Sequence, residues 1–195
     1  MNDIKLNFAK EVDSLDVDQI YMTHFKPLAD RKTRILNTIK LDLRWVESEP
    51  DSQYWTDEQD EWENRADDAP YRQLLPSEIS LAHKHIEAYK DIVAKGHQTA
   101  LVLEDDVLLC NDFDHYFNRF LAATPDDWDL IFIGSGLHLR VDWCPVTTDQ
   151  AAYKKSHPAS KCTDSYCIKG QAAEKILSTI IPFSLPIDSE LNYQM

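Results

Sequence analysis

Apolar residues along the chain follow two rhythms, short continuous runs and stripes recurring every three or four positions, and their alternation predicts an α/β domain with a largely parallel sheet. After a polar lead over residues 1–17, Gln19 to Phe25 is predicted as a strand and Arg31 to Lys40 as a helix with Ile35, Leu36 and Ile39 turned inward. Leu41 to Val46 follows as a second strand. Pro76 and Ser77 open the most regular helix, where Ser77 is expected to cap, Ile79, Ala82, Ile86, Tyr89 and Val93 make the apolar stripe, and Gly96 ends it. Thr99 to Leu103 (TALVL) is a continuous apolar run, as expected of a strand buried on both faces. A helix capped by Asn111 or Asp112 then carries Phe113, Phe117, Phe120 and Leu121, and Trp128 to Gly134 reads as another central strand. Residues 135–161 read as loop with short strands, Ser165 to Lys169 as a strand, Gln171 to Ile181 as a helix, and Pro182, Pro186 and Asp188 as an ordered turn.

Residues 47–70 interrupt this pattern with crowded acids around Tyr54, Trp55 and Trp62. The stretch is expected to be a solvated insertion at the surface, with a flap over a sugar site as the alternative, since exposed aromatic rings stack on sugar faces and loops over such sites close. No internal repeat is present, so one domain spanning residues 1–195 is expected.

Charge narrows the classes of partner. The 34 Asp and Glu outnumber the 20 Lys and Arg, for a net charge of -14, and such a surface repels phosphate backbones and anionic headgroups across a Debye length of roughly 8–10 Å. Nucleic acid and bare membrane are therefore poor partners. Hydrophobic residues at 43% supply a sizeable core. Neither a secretory leader nor a run of about 20 apolar residues is present, so a cytoplasmic location without a transmembrane segment is expected. Cys110, Cys144, Cys162 and Cys167 lack paired metal-site spacing and read as reduced thiols, mostly used in packing.

The chemistry concentrates where the apolar run ends in Glu104, Asp105 and Asp106. In open α/β sheets ligands bind beyond the carboxyl ends of the strands. Carboxylates crowded there repel unless a proton, a hydrogen bond or a cation offsets them, and Mn²⁺ or Mg²⁺ suits such hard oxygen ligands. Strand alternation puts Glu104 and Asp106 on one face with Asp105 turned away. The bland alternative is a solvated acidic turn.

The order of segments goes further. IYMTHFKPLADRKTR, SEISLAHKHIEAYKDIVAKG, TALVLEDDVLLCNDF, WDLIFIG, DSYCIKGQAAEKIL and PIDSEL together resemble glycosyltransferase family 25, the group that includes lipooligosaccharide and collagen galactosyltransferases. That resemblance implies a glycosyltransferase A-type, Rossmann-like fold: a mixed, mostly parallel sheet flanked by helices. It implies a UDP-sugar donor, a saccharide or hydroxylated protein acceptor, inverting transfer of a hexose such as galactose or glucose, and Mn²⁺ (or Mg²⁺) held by Glu104 and Asp106. It points to Arg31, Arg34, His83 and Asp105 on the donor side and to Asp164 and Tyr166 on the acceptor side. Asp188 is the expected general base, with Glu190 behind it. Family members usually run past the P-x-D element, and a glycine near the SEI segment is replaced here by Ser77 and Ser80; a minimal or truncated form is one expectation. Two other classes remain open at this point. A relative that binds nucleotide-sugars without turnover is one. A haloacid dehalogenase-type phosphohydrolase is the other, although that chemistry needs an Asp nucleophile where Glu104 stands.

Overall fold

The computed structural model of the chain describes residues 11–49, 74–134 and 162–194. The expectations for the body of the acidic excursion, for residues 135–161 and for Cys144 lie outside these.

Five strands form one sheet in the order β2-β1-β3-β5-β4, with β1 at Gln19–Thr23, β2 at Leu43–Val46, β3 at Thr99–Glu104, β4 at Leu130–Phe132 and β5 at Ser165–Lys169. β1 pairs in parallel with both β2 and β3, while β5 lies antiparallel between β3 and β4. The sheet is thus mixed, as expected. β4 differs from expectation: among the described residues it is an edge strand, with all three residues only half-buried.

Helices cover both faces. Strand alternation sends Tyr21, Ala100, Val102, Tyr166 and Ile168 to one core with Ala82, Ile86, Tyr89 and Ile92. Those four belong to α2, Pro76–Lys95, which is joined there by α4, Gly170–Leu177, and α5, Ile187–Gln194. Ile20, Met22, Leu101, Leu103 and Cys167 face the opposite core, built on α1, Ala29–Thr38, and α3, Phe113–Ala123. The polar lead contributes as well: Val12 is fully buried and bridges to Ile39.

Several local expectations need correction. Leu36 was expected inside but is 48% exposed, because α1 turns only Ile35 fully inward and Ile39 follows its end. Ser77 does not cap α2. The cap position is Leu75, and the Glu78 carboxylate reaches back to accept its N–H at 2.8 Å, with Pro76 at the first helical position. Gly96, at φ 70, closes α2 in the left-handed conformation that glycine tolerates. The expected turn around Asp188 is instead the first turn of α5, with Pro186 O accepting the N–H groups of Ser189 and Glu190. Of the described thiols only Cys167 is a packing residue; Cys110 is exposed and Cys162 half-buried.

Candidate functional site

β3 runs out of the sheet at Glu104, and the next residues form a turn in which Val107 N–H returns to Glu104 O. Alternation still governs the first two acids. Glu104 continues the face of Ala100 and Val102, so it meets α2 and the residues that lead into β5. Asp105 goes to the other face, beneath the end of β1.

Glu104 Oε1 accepts a hydrogen bond from the Thr163 hydroxyl at 2.6 Å and lies 3.6 Å from His85 Nε2. Thr163 and His85 both address Oε1, which leaves Oε2 without a hydrogen bond among the described residues. Burial alone would raise the Glu104 carboxyl, but His85 and the Thr163 hydroxyl outweigh it and hold the pKa below its ordinary value.

Asp105 is a buried clamp. Its Oδ1 accepts from Arg31 at 2.7 Å, and its Oδ2 accepts from His24 Nδ1 at 2.7 Å and from Phe25 N–H at 3.4 Å. Burial pushes its pKa up, yet Arg31 and His24 win and lower it. Arg34 braces the same turn from below, donating to Asp105 O at 2.7 Å and Val107 O at 2.8 Å.

Asp106 has its side chain 53% exposed, 3.4 Å from Arg31. Burial, then the charge of Glu104, raises its pKa. The pair therefore repels, as its crowding predicts.

The approach to β5 completes the edge. Asp164 O accepts Glu104 N–H at 2.9 Å, tying this segment to the end of β3. Cys162, at φ 72, donates its N–H to Asp188 Oδ2 at 3.2 Å. Burial raises the Cys162 thiol, and Asp164, Asp188, Glu104 and Asp106 add their fields. Five carboxylates, Asp105 among them, and one half-exposed guanidinium thus converge at the carboxyl end of β3.

The structure distributes the sequence-derived residues unevenly. Glu104, Asp106, Asp164, Asp188, Asp105 and Arg31 come together, whereas Arg34 supports the backbone. Glu190 is spent on architecture: its Oε1 accepts Ser184 N–H at 2.7 Å and Leu185 N–H at 2.8 Å, and the residue is 6% exposed. Tyr166, expected beside the acceptor, is completely buried against His85 and Tyr89 and meets no solvent. His83 is half-buried on α2, where burial lowers its pKa and the charges of Glu87, Lys90, Lys84 and Glu49 act on it. The histidine at the acidic edge is His85, two positions on, hidden from sequence reasoning because it lies on the buried stripe of α2. Only its position opposite Tyr166 reveals a role.

A divalent cation can be tested against these donors. Among the described residues no group of three or more His, Cys, Asp and Glu side chains is arranged to enclose a metal. Two carboxylates at an open edge nevertheless fit Mg²⁺ or Mn²⁺, ions commonly bound by one or two carboxylates with substrate phosphates and water completing the shell.

The family model for glycosyltransferase family 25 (LPS biosynthesis protein) matches residues 18–191. The chain is 28% identical over 199 residues to procollagen galactosyltransferase 2 of Mus musculus and 26% identical over 199 residues to that of Homo sapiens, in each case across 93% of this chain and 31% of the relative. A glycosyltransferase 25 family member of Aedes aegypti is 27% identical over 179 residues, across 85% of this chain and 28% of the relative. The chain spans less than a third of the length of these curated relatives.

Proposed function

The chain belongs to glycosyltransferase family 25, and from that premise we propose that it transfers a hexose, galactose or glucose, from a UDP-sugar to a saccharide or protein hydroxyl with inversion. The convergence of Glu104, Asp106, Asp164 and Asp188 beside Arg31 at the carboxyl end of β3 carries this reading. An acidic edge is a poor home for a diphosphate unless a cation intervenes, and Glu104 and Asp106 are the residues that would hold Mn²⁺ or Mg²⁺. Bound there, such an ion supplies Lewis-acid neutralisation of the charge growing on the departing UDP.

The side chains divide the remaining work. Arg31, fixed by Asp105 and still 42% exposed, adds a positive charge toward the diphosphate, where preorganised donors act on developing charge. Asp188 is the general base: its Oδ1 is held by the N–H and hydroxyl of Ser189 and its Oδ2 by the N–H of Cys162, and Oδ2 keeps a lone pair to accept the acceptor hydroxyl's proton. The mixed sheet with helices on both faces supports an A-type glycosyltransferase architecture. No helix among the described residues is long and apolar enough to cross a membrane.

The test is a thermal-shift and calorimetric panel of UDP-Gal, UDP-Glc, UDP-GlcNAc and a GDP-sugar, each with Mn²⁺, with Ca²⁺ and with chelator, alongside release of free UDP. A UDP-hexose should stabilise the fold by about 2.7 kcal/mol at a hundredfold excess over Kd, with Mn²⁺ best. Equal donor affinity in chelator and in Mn²⁺ refutes the metal assignment, and binding with no UDP release on any acceptor selects a non-catalytic relative.

A further inference from the structure

His85 is wholly buried, yet its Nε2 has no hydrogen-bond partner among the described residues. Native structures rarely leave a buried donor unpaired, and each exception asks for an explanation. The ring's other nitrogen, Nδ1, lies 2.7 Å from Tyr166 Oη, and Tyr166 Oη lies 2.6 Å from Tyr89 Oη. Burial raises the pKa of both phenols, so both remain O–H groups.

With the ring neutral, its proton can sit in two places along this chain. If Nδ1 carried the ring proton, Nε2 would aim a lone pair at Glu104 Oε1, 3.6 Å away, and two acceptors would face each other. If Tyr89 donates to Tyr166 and Tyr166 donates to Nδ1, the proton sits on Nε2 and a donor faces the carboxylate. Because an ionised carboxylate only accepts, the second arrangement is favoured, and the hydrogen bond at one ring nitrogen fixes what the other can do.

We propose that Tyr89, Tyr166 and His85 form a buried relay that presents an N–H to Glu104 Oε1 and so aims Oε2 at a divalent cation. His85 is then a positioning residue that touches neither sugar nor nucleotide. Thr163 grips the same oxygen from the β5 side, and a shift of about half an ångström brings His85 within hydrogen-bond range. The inference rests on the metal-dependent transfer proposed above and deepens it.

The experiment titrates Mn²⁺ into the protein in the presence of UDP, following unbound Mn²⁺ by electron paramagnetic resonance. Wild type is compared with Tyr166→Phe, His85→Leu, His85→Gln and Glu104→Gln, with circular dichroism as the check on folding. Tyr166→Phe and His85→Leu should weaken Mn²⁺ binding about 10–100-fold, the range for losing a partner that orients a metal ligand. His85→Gln, whose amide N–H can occupy the place of Nε2–H, should recover most of that loss, which a merely space-filling role would not explain. Wild-type Mn²⁺ affinity in a folded Tyr166→Phe overturns the relay, and this variant decides the matter even where His85→Leu fails to fold. If Glu104→Gln alone loses the ion, the metal site stands and the relay falls; if wild type binds no Mn²⁺, the metal reading falls and takes the relay with it.

Discussion

His24 and Asp105 meet across the ends of neighbouring strands, Nδ1 to Oδ2 at 2.7 Å, with both side chains almost wholly out of solvent. The same carboxylate holds Arg31, so one acid ties β1, α1 and the β3 turn together. Asp105→Asn should lower stability by about 1.5–3 kcal/mol, the range for a hydrogen bond to a charged group, measured as a shift in urea midpoint at pH 7. The folded-state carboxyl is held below its ordinary pKa. Its stabilisation is therefore complete above the ordinary carboxylate range and drains away as pH falls through the lowered folded value. Identical midpoints at pH 7 would show that the clamp contributes nothing.

Asp106 has the opposite sign. Burial and Glu104 raise its pKa, so keeping it ionised opposes folding once the pH exceeds its ordinary value, and the penalty disappears as pH drops below that value. Asp106→Asn should leave the metal-free midpoint at pH 7 unchanged or slightly higher while abolishing UDP release. A global loss of structure, seen by circular dichroism, would instead make the acidic turn architectural.

Asp188 separates base from ligand. Asp188→Asn should reduce turnover by about 10²-fold or more, as expected for losing a positioned proton acceptor, with donor affinity in Mn²⁺ close to wild type. A raised acceptor KM at unchanged saturated rate would assign the carboxylate to acceptor binding. Wild-type turnover on the true acceptor would remove Asp188 from the chemistry and make Asp164 the next residue to substitute.

Glu190 is expected to behave differently from its neighbour in the sequence. Glu190→Ala strands the N–H groups of Ser184 and Leu185 and should cost at least about 1.5 kcal/mol of stability, while turnover per folded molecule stays near wild type. A large fall in kcat with an unchanged thermal midpoint would overturn its structural assignment.

These contrasts mark what was legible from the residues alone. TALVL followed by EDD located the site's strand and its acidic edge, because a doubly buried strand must be continuously apolar and can carry charge only where it leaves the sheet. The stripe Ile79, Ala82, Ile86 and Tyr89 fixed α2 as well, although Val93 at its end is exposed and Ile92 is buried instead. PFSLPIDSEL was misleading, since two prolines read as breakers when the second in fact sits before the first turn of α5, a place proline tolerates. His85 was obscured for a related reason, while Tyr166 was singled out for the acceptor side and lies wholly buried instead. Periodicity reports which face a residue takes, and a polar residue on an inward face is counted as core until the opposite element shows what it meets.

The reversed direction of β5 makes the site sensitive to chain length in an uneven way. Tyr166 and Cys167 point into opposite cores from adjacent positions, and Tyr166 stands opposite Val102 in the ladder. Inserting or deleting one residue between Asp164 and Tyr166 would exchange the two faces. Either change would force the tyrosine into the core beside Leu101 and Leu103, and a deletion would put a thiol where the phenol now meets His85. Homologous sequences should accordingly hold a fixed count of residues from the acid that closes onto Glu104 N–H to the tyrosine two places later.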